Sequence, residues 1–150
     1  MKSIIIYESV HHNNTEKVAK VIASEIGADL VNVRNFADSY KNLNDYDLIG
    51  FGSGIYGGKI HKNLKKFIET IEHVENQKTF IFTTSGMSKE KYLKKFKELL
   101  FFKGFEVIGE FTCKGFDTFG PFKIIGGINK GKPNEEDLAN AKNFAMSLLG

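Results

Sequence analysis

Short apolar runs alternate with longer segments of helical period along the chain, and this alternation restricts the fold more than any other feature. Lys2–Tyr7 contains the run Ile4 to Ile6, and Val18, Val21, Ile22 and Ile26 then recur at i, i+3, i+4 and i+8 before Gly27. A strand-length apolar run leading into one amphipathic helix is a βα unit, and its repetition gives a parallel sheet wrapped by helices. Asp29–Val33 is a short second strand, and the polar stretch that follows to Asn44 has room for one brief helix. Tyr46–Ser53 is a third, more central strand, and Leu64, Phe67, Ile68 and Ile71 mark the next helix. Thr79–Thr84 is a fourth strand of β-branched and aromatic residues. Tyr92, Leu93, Phe96, Leu99 and Leu100 give another helical stripe, closed by Gly104, and Phe105–Cys113 alternates as a fifth strand. The last helix starts near Asn134, with Glu135, Glu136 and Asp137 in its first turn, where carboxylates complement the helix dipole. Five strands and four or five helices result, read as one domain over residues 1–150, without internal repeat or linker.

Composition narrows the function. A single cysteine excludes an internal disulfide, and the four scattered histidines do not build a zinc-ligand spacing with it. The expectation is a reducing, cytoplasmic compartment, with no export signal and no stretch long enough to span a bilayer. A net charge of +3 is too mild to imply nucleic acid, yet it is unevenly placed: residues 76–150 carry 12 Lys against 8 Asp or Glu. The densest patch, Lys89, Lys91, Lys94, Lys95 and Lys97, falls on one helix and is expected to be its solvated face, with a docking role as the minority reading.

In an open parallel sheet, ligands sit beyond the carboxyl ends of the strands, where strand order reverses. The segment after the first strand is Ser9-Val10-His11-His12-Asn13-Asn14-Thr15, directly before a helix. Unpaired N–H groups at a helix N-terminus and the hydroxyls of Ser9 and Thr15 suit a phosphate, and Asn13 tolerates a left-handed backbone. The competing reading is a plain helix cap by Asn13, Asn14 or Thr15. After the third strand comes Gly52-Ser53-Gly54-Ile55-Tyr56-Gly57-Gly58-Lys59, with a helix starting near His61. Gly52, Gly54 and Gly57 match G-x-G-x-x-G, but a dinucleotide fingerprint belongs after the first strand and needs an acidic residue about 20 positions on. What remains is a loop whose backbone approaches a flat ligand closely, with Tyr56 available to stack on it. The segment after the fourth strand, Thr84-Ser85-Gly86-Met87-Ser88, is hydroxyl-rich and suits a polar ring edge; alone it is an ordinary turn. Three such segments at three strand ends favour a ligand over three coincidental caps.

Other residues weigh less. His11 and His12 add charge near a phosphate or face solvent, and Cys113 on an apolar strand reads as a buried structural thiol. Gly115 to Lys132 is long for a connection, carries Phe116, Phe119 and Phe122, and emerges on the ligand side of the sheet. It is either a lid or partner-docking edge, or a loop packing its own aromatics.

With these residues in place the sequence resembles the flavodoxin family. Asn14-Thr15 is similar to the end of that family's phosphate loop, and Gly52 to Gly58 followed by a helix is similar to its second loop. The resemblance implies a flavodoxin-like α/β three-layer fold: a five-stranded parallel sheet, order 2-1-3-4-5, with helices on both faces. It implies FMN, with Ser9, His11, His12, Asn13, Asn14 and Thr15 around the phosphate. Ser53, Gly54, Ile55, Tyr56, Gly57 and Gly58 would lie against the ring, Tyr56 stacking on it and the Gly57-Gly58 peptide near N5. Thr84, Ser85 and Gly86 would flank the pyrimidine edge. The sequence departs from the family in having Asn13 where glycine is usual, and in an extra residue within His11-His12. Loop length, together with Gly52, Ile55, Gly58 and His61, also resembles the flavodoxin-like protoporphyrinogen oxidases, although their long insertion is missing.

The implied function is an electron carrier working with redox partner proteins. The alternative is a flavin enzyme, either a quinone-coupled protoporphyrinogen oxidase or an NAD(P)H:quinone reductase. A phosphorylation-dependent receiver fails, because Gly52-Ser53-Gly54 stands where a phosphorylatable Asp would end the third strand.

Overall fold

A computed structural model describes residues 1–10, 13–86, 90–115 and 127–150. The strands are β1 (Ser3–Glu8), β2 (Asp29–Asn32), β3 (Leu48–Tyr56), β4 (Lys59–Ile60), β5 (Gln77–Ser85) and β6 (Phe105–Lys114). The α-helices are α1 (Asn14–Ile26), α2 (Lys62–Thr70), α3 (Glu90–Phe102) and α4 (Glu135–Leu149). The main sheet runs β2-β1-β3-β5-β6, all parallel, and β4 is a short antiparallel arm on β3. Counting only the parallel strands, this is the expected order 2-1-3-4-5.

Side chains of a strand alternate between faces, so a strand buried on both sides reads as a continuous apolar run. In β1, Ile4 and Ile6 enter one core with Phe51, Ile81, Leu64, Ile68, Leu93 and Phe96, beneath α2 and α3. Ile5 and Tyr7 enter the other with Val18, Ile22, Phe80, Phe82, Ala141 and Ala145, beneath α1 and α4. Gly50 and Gly52 of β3 leave room for aromatic rings from β5: a Cβ on Gly52 would sit 2.1 Å from Phe82 Cζ.

Helix ends follow the sequence. Gly27 closes α1 in the left-handed conformation at φ 68°. Asn134 and Asp137 form a reciprocal capping box at the start of α4. Three boundaries differ from expectation. β2 stops at Asn32, because its side chain accepts the Arg34 N–H at 2.9 Å and turns the backbone into a 3₁₀ turn, so Val33 is not strand. The stretch to Asp45 holds three single 3₁₀ turns, over Val33–Asn35, Ala37–Ser39 and Leu43–Asp45, instead of one brief helix. β3 runs on to Tyr56, so Gly54, Ile55 and Tyr56 belong to a strand and only Gly57-Gly58 forms a turn.

Candidate functional site

Parallel pairing brings the carboxyl ends of the central strands to one edge. Glu8 lies opposite Ser53, Gly54 opposite Thr84, and Thr84 opposite Cys113. β1 has β2 on one side and β3 on the other, so the reversal of strand order falls at the Glu8/Ser53 level.

The first segment is held from below by a buried charge. Glu8 is fully buried; its carboxylate accepts from the Ser9 N–H at 3.1 Å and from Asn63 Nδ2 at 3.0 Å. Arg34, the chain's only arginine, lies 3.1 Å from the same carboxylate through Nε, and its Nη2 donates to the Ser9 carbonyl at 3.3 Å. Both backbone groups of Ser9 are therefore gripped by one ion pair, which fixes the start of the loop. The Ser9 hydroxyl accepts the Glu16 N–H at 3.1 Å, capping α1 from seven residues upstream and keeping its own proton for donation. Asn13 is the N-cap by position yet makes no side-chain cap bond; it holds the left-handed backbone at φ 56° and ψ 31°. The capping alternative therefore goes to Ser9, not Asn13. Asn14 and Thr15 are buried in the first turn of α1. His11 and His12 lie outside the described residues.

The second segment is a two-residue hairpin. Gly57 and Gly58, at φ 58° and 82°, are the paired positive-φ positions of a tight turn between Tyr56 and Lys59. Among the described residues a Cβ on Gly57 would meet nothing within 4 Å, so this peptide presents bare backbone there. The Tyr56 ring folds back over Gly54, where a Cβ would lie 2.5 Å from the phenol oxygen, and its hydroxyl donates to the Val10 carbonyl at 3.5 Å. The ring also meets the His61 ring edge-on, centroids 5.5 Å apart. Ser53 is buried and works internally, donating to the Gly54 carbonyl at 2.6 Å and accepting the His61 N–H at 2.9 Å. His61 caps α2 through Nδ1, which accepts from the Asn63 N–H at 3.0 Å. Ile55 is buried.

The third segment closes the arrangement. Thr84 Oγ1 lies 2.8 Å from Thr15 Oγ1, so residues 69 positions apart tie the end of β5 to the start of α1. Thr84 and Ser85 are strand residues, and Gly86 follows as a bend. Ser85 is 7% exposed, and among the described residues its Oγ has no hydrogen-bond partner. Asn129, in the left-handed conformation at φ 57°, donates through Nδ2 to the Gly86 carbonyl at 2.8 Å. It comes from the long segment after β6, of which residues 116–126, with Phe116, Phe119 and Phe122, lie outside the described residues; so do Met87 and Ser88. Cys113 is buried, and burial pushes its thiol up to about 12, which suits an inert structural cysteine.

The structure thus brings Ser9, Thr15, Tyr56, Thr84 and Gly86 together at one edge. Sequence reasoning missed Glu8, Arg34 and Asn129. A lone carboxylate ending an apolar strand and the only arginine were the available signals for the first pair; nothing local marked Asn129.

The flavodoxin domain matches residues 4–114. The chain belongs to this family. An uncharacterized protein of Methanocaldococcus jannaschii is 50% identical over 151 residues, covering 99% of both chains. Among solved structures, an oxidised flavodoxin 2 from Bacillus cereus superposes with TM-score 0.72 at 21% identity, covering 99% of this chain and 98% of its own. A Lactobacillus acidophilus flavoprotein in complex with FMN gives TM-score 0.58 at 23% identity, covering 74% of this chain and 92% of its own. The parallel sheet order agrees with this family. Among the described residues no helix is long and apolar enough to cross a membrane, and no cluster of three His, Cys, Asp or Glu side chains could hold a metal.

Proposed function

We propose that this flavodoxin-domain protein binds FMN at the carboxyl edge of its sheet and carries electrons between redox partners, residues 1–150 acting as one domain. The observation that carries the reading is the convergence of three strand ends, fastened by the Thr15–Thr84 bond. The residues present fit the group. Asn13 supplies a left-handed turn directly before α1, whose N-terminal dipole favours an anion. The hydroxyl of Ser9, with Asn14 and Thr15, supports a phosphate there, and His11 and His12 flank the same stretch. Gly57-Gly58 offers a backbone that any side chain would obstruct or strain, suited to a ring edge, with Tyr56 beside it for stacking. The Ser85 hydroxyl, between Thr84 and Gly86 and without a partner among the described residues, suits the polar rim of a heterocycle.

FMN, when bound, supplies reversible one-electron and two-electron chemistry. The chain's own part is to orient it, exclude water and set hydrogen bonds around its ring. A second reading, a flavin oxidoreductase acting on a quinone, a porphyrinogen or NAD(P)H, is favoured by His61 placed edge-on to Tyr56 and 3.8 Å from the buried Glu8. The visible spectrum of the purified protein, with chromatography of released flavin, tests both. A colourless chain that cannot be reconstituted with FMN overturns them. Two resolved one-electron potentials in a redox titration support the carrier, whereas turnover with NAD(P)H and a quinone supports the enzyme.

A further inference from the structure

Beside the Gly57-Gly58 turn, an open groove runs between the hairpin, α2 and α3. It has two parts, about 250 and 470 Å³, which share Gly58, Lys59, Tyr92 and Lys95. Its floor is apolar, made by Ile60, Tyr92, Phe96 and Leu99. Its rim is cationic: Lys59 from the hairpin, Lys62 and Lys65 from α2, and Lys91 and Lys95 from α3, with no acidic residue lining it among the described residues. All five lysines are exposed.

Among the described residues ion pairing divides the lysines of the chain, and these five fall with the unpaired majority. Lys20, Lys41, Lys97 and Lys132 each lie within 4 Å of a carboxylate, on Glu16, Asp29, Glu110 and Asp137 respectively. Among the described residues none of the five rim lysines has such a partner. Lys62 and Lys65 are spaced i, i+3 and Lys91 and Lys95 i, i+4, so each pair shares one face of its helix, an arrangement that repels itself within the molecule. Negative charge brought from outside would relieve that repulsion. A small anion would call for a buried charged side chain aimed at it, whereas here the charge is spread along three elements and faces solvent. An apolar floor inside a charged rim matches the anatomy of a protein interface.

We infer that this groove is the docking face for an acidic redox partner protein, which would meet the molecule where the bare Gly57-Gly58 turn lies. The inference rests on the carrier reading and names its partner class. Its polarity places the acidic surface on the partner and the basic surface on this chain. Rows of opposite charge would steer encounter and set orientation, making the association rate steeply dependent on salt.

The test uses the full FMN-loaded chain, reduced and mixed by stopped flow with cytochrome b5 as an acidic acceptor and cytochrome c as a basic one. With cytochrome b5 the second-order rate constant is expected to fall about tenfold between about 0.02 M and about 0.5 M ionic strength. Reversing the rim with Lys59→Glu, Lys62→Glu, Lys91→Glu and Lys95→Glu should lower the low-salt rate at least about tenfold, remove most of the salt dependence and speed reaction with cytochrome c. Lys78→Glu with Lys142→Glu, outside the groove, should do neither. A second arm needs no flavin: amide chemical shifts of the labelled chain titrated with cytochrome b5 should move along α2, α3 and the hairpin. Shifts there in a chain that takes up no FMN sink the carrier reading and leave the docking face standing. Equal responses of the groove and control variants overturn the docking face, and so does tight single-site binding of citrate that blocks the groove.

Discussion

Replacing Ser85 by Ala separates a hydroxyl kept for a ligand from one kept for the fold. A hydroxyl buried without a partner loses its water and gains nothing in exchange, at a cost of about 1–3 kcal/mol. Ser85 retains 7% exposure and its Oγ has no partner among the described residues, so the lower half of that range applies. Ser85→Ala should therefore stabilise the flavin-free protein by about 1–2 kcal/mol, which for 150 residues is a rise in Tm of roughly 2–8 °C. If FMN satisfies that hydroxyl, the variant loses a similar amount on binding, an increase in Kd of about 5- to 30-fold. The two effects have opposite signs, and the holoprotein should unfold close to the wild-type temperature. Ser3 provides an internal control, because its hydroxyl is also buried and without a partner among the described residues, but lies at the amino end of β1. Ser3→Ala should stabilise the apoprotein and leave flavin affinity unchanged. Thermal unfolding of apoproteins and flavin fluorescence titration measure both quantities. Loss of apoprotein stability in Ser85→Ala, or wild-type FMN affinity in it, would refute the argument.

Arg34→Ala leaves the Glu8 carboxylate buried with neutral donors only; because Arg34 is itself half-exposed, the expected loss is about 1–3 kcal/mol, largely recovered in the double variant with Glu8→Gln, as read from urea midpoints. Gly52→Ala drives a methyl into the Phe82 ring and should cost about 1–3 kcal/mol, with Phe82→Leu relieving most of it; additive losses in the double variant would contradict the contact. Tyr7 and Tyr46 are pushed up to about 12, first by burial and then by bonding to Glu16 and Asp29, so their neutral forms stabilise the fold. A raised folded pKa gives stability that is complete below the ordinary tyrosine value of about 10 and is lost as pH climbs toward about 12. Urea midpoints should decline over that window, and the Tyr7→Phe, Tyr46→Phe variant should decline less steeply.

The fold was legible because its signals are local and repeated. Ile4 to Ile6 and the Val18, Ile22, Ile26 stripe specify a strand and a helix by spacing alone, and Gly27 and Asn134 end and begin helices by backbone chemistry that needs no distant partner. The errors fell where one residue carries two meanings. Gly54 resembles loop punctuation, yet in β3 it is the space that admits the Tyr56 ring. Gly57-Gly58, read as part of a loose loop, has the composition of a two-residue hairpin turn, and that signal was present in the sequence. Asn32 looks like the interior of a second strand until its side chain captures the Arg34 N–H.

The candidate site was legible as a set of segments and opaque as a set of contacts. Which hydroxyls face one another depends on register at the sheet edge, and register is set by packing along whole strands rather than by the residues at their tips. Thr15 and Thr84 meet because β1, β3 and β5 align Glu8 with Ser53 and Gly54 with Thr84. The polar residues then divide by where their bonds go. Ser53 spends its hydroxyl on Gly54 and His61 and serves as a brace, whereas Ser9 accepts from Glu16 and keeps a proton to give. Glu8 goes further: buried beneath Ser9, it fixes that residue through the N–H while Arg34 fixes the carbonyl, so the start of the segment is held without any ligand. Holding Ser9 in this way would lower the entropy lost on binding. On the FMN reading, Arg34, far along the sequence from Ser9, would influence affinity through Ser9. Arg34→Ala should therefore weaken FMN binding by releasing Ser9, detectable as faster amide exchange at Ser9 and Val10, and the Glu8→Gln partner variant should not restore it even where it restores stability. Recovery of both together would mean that the pair serves the fold alone.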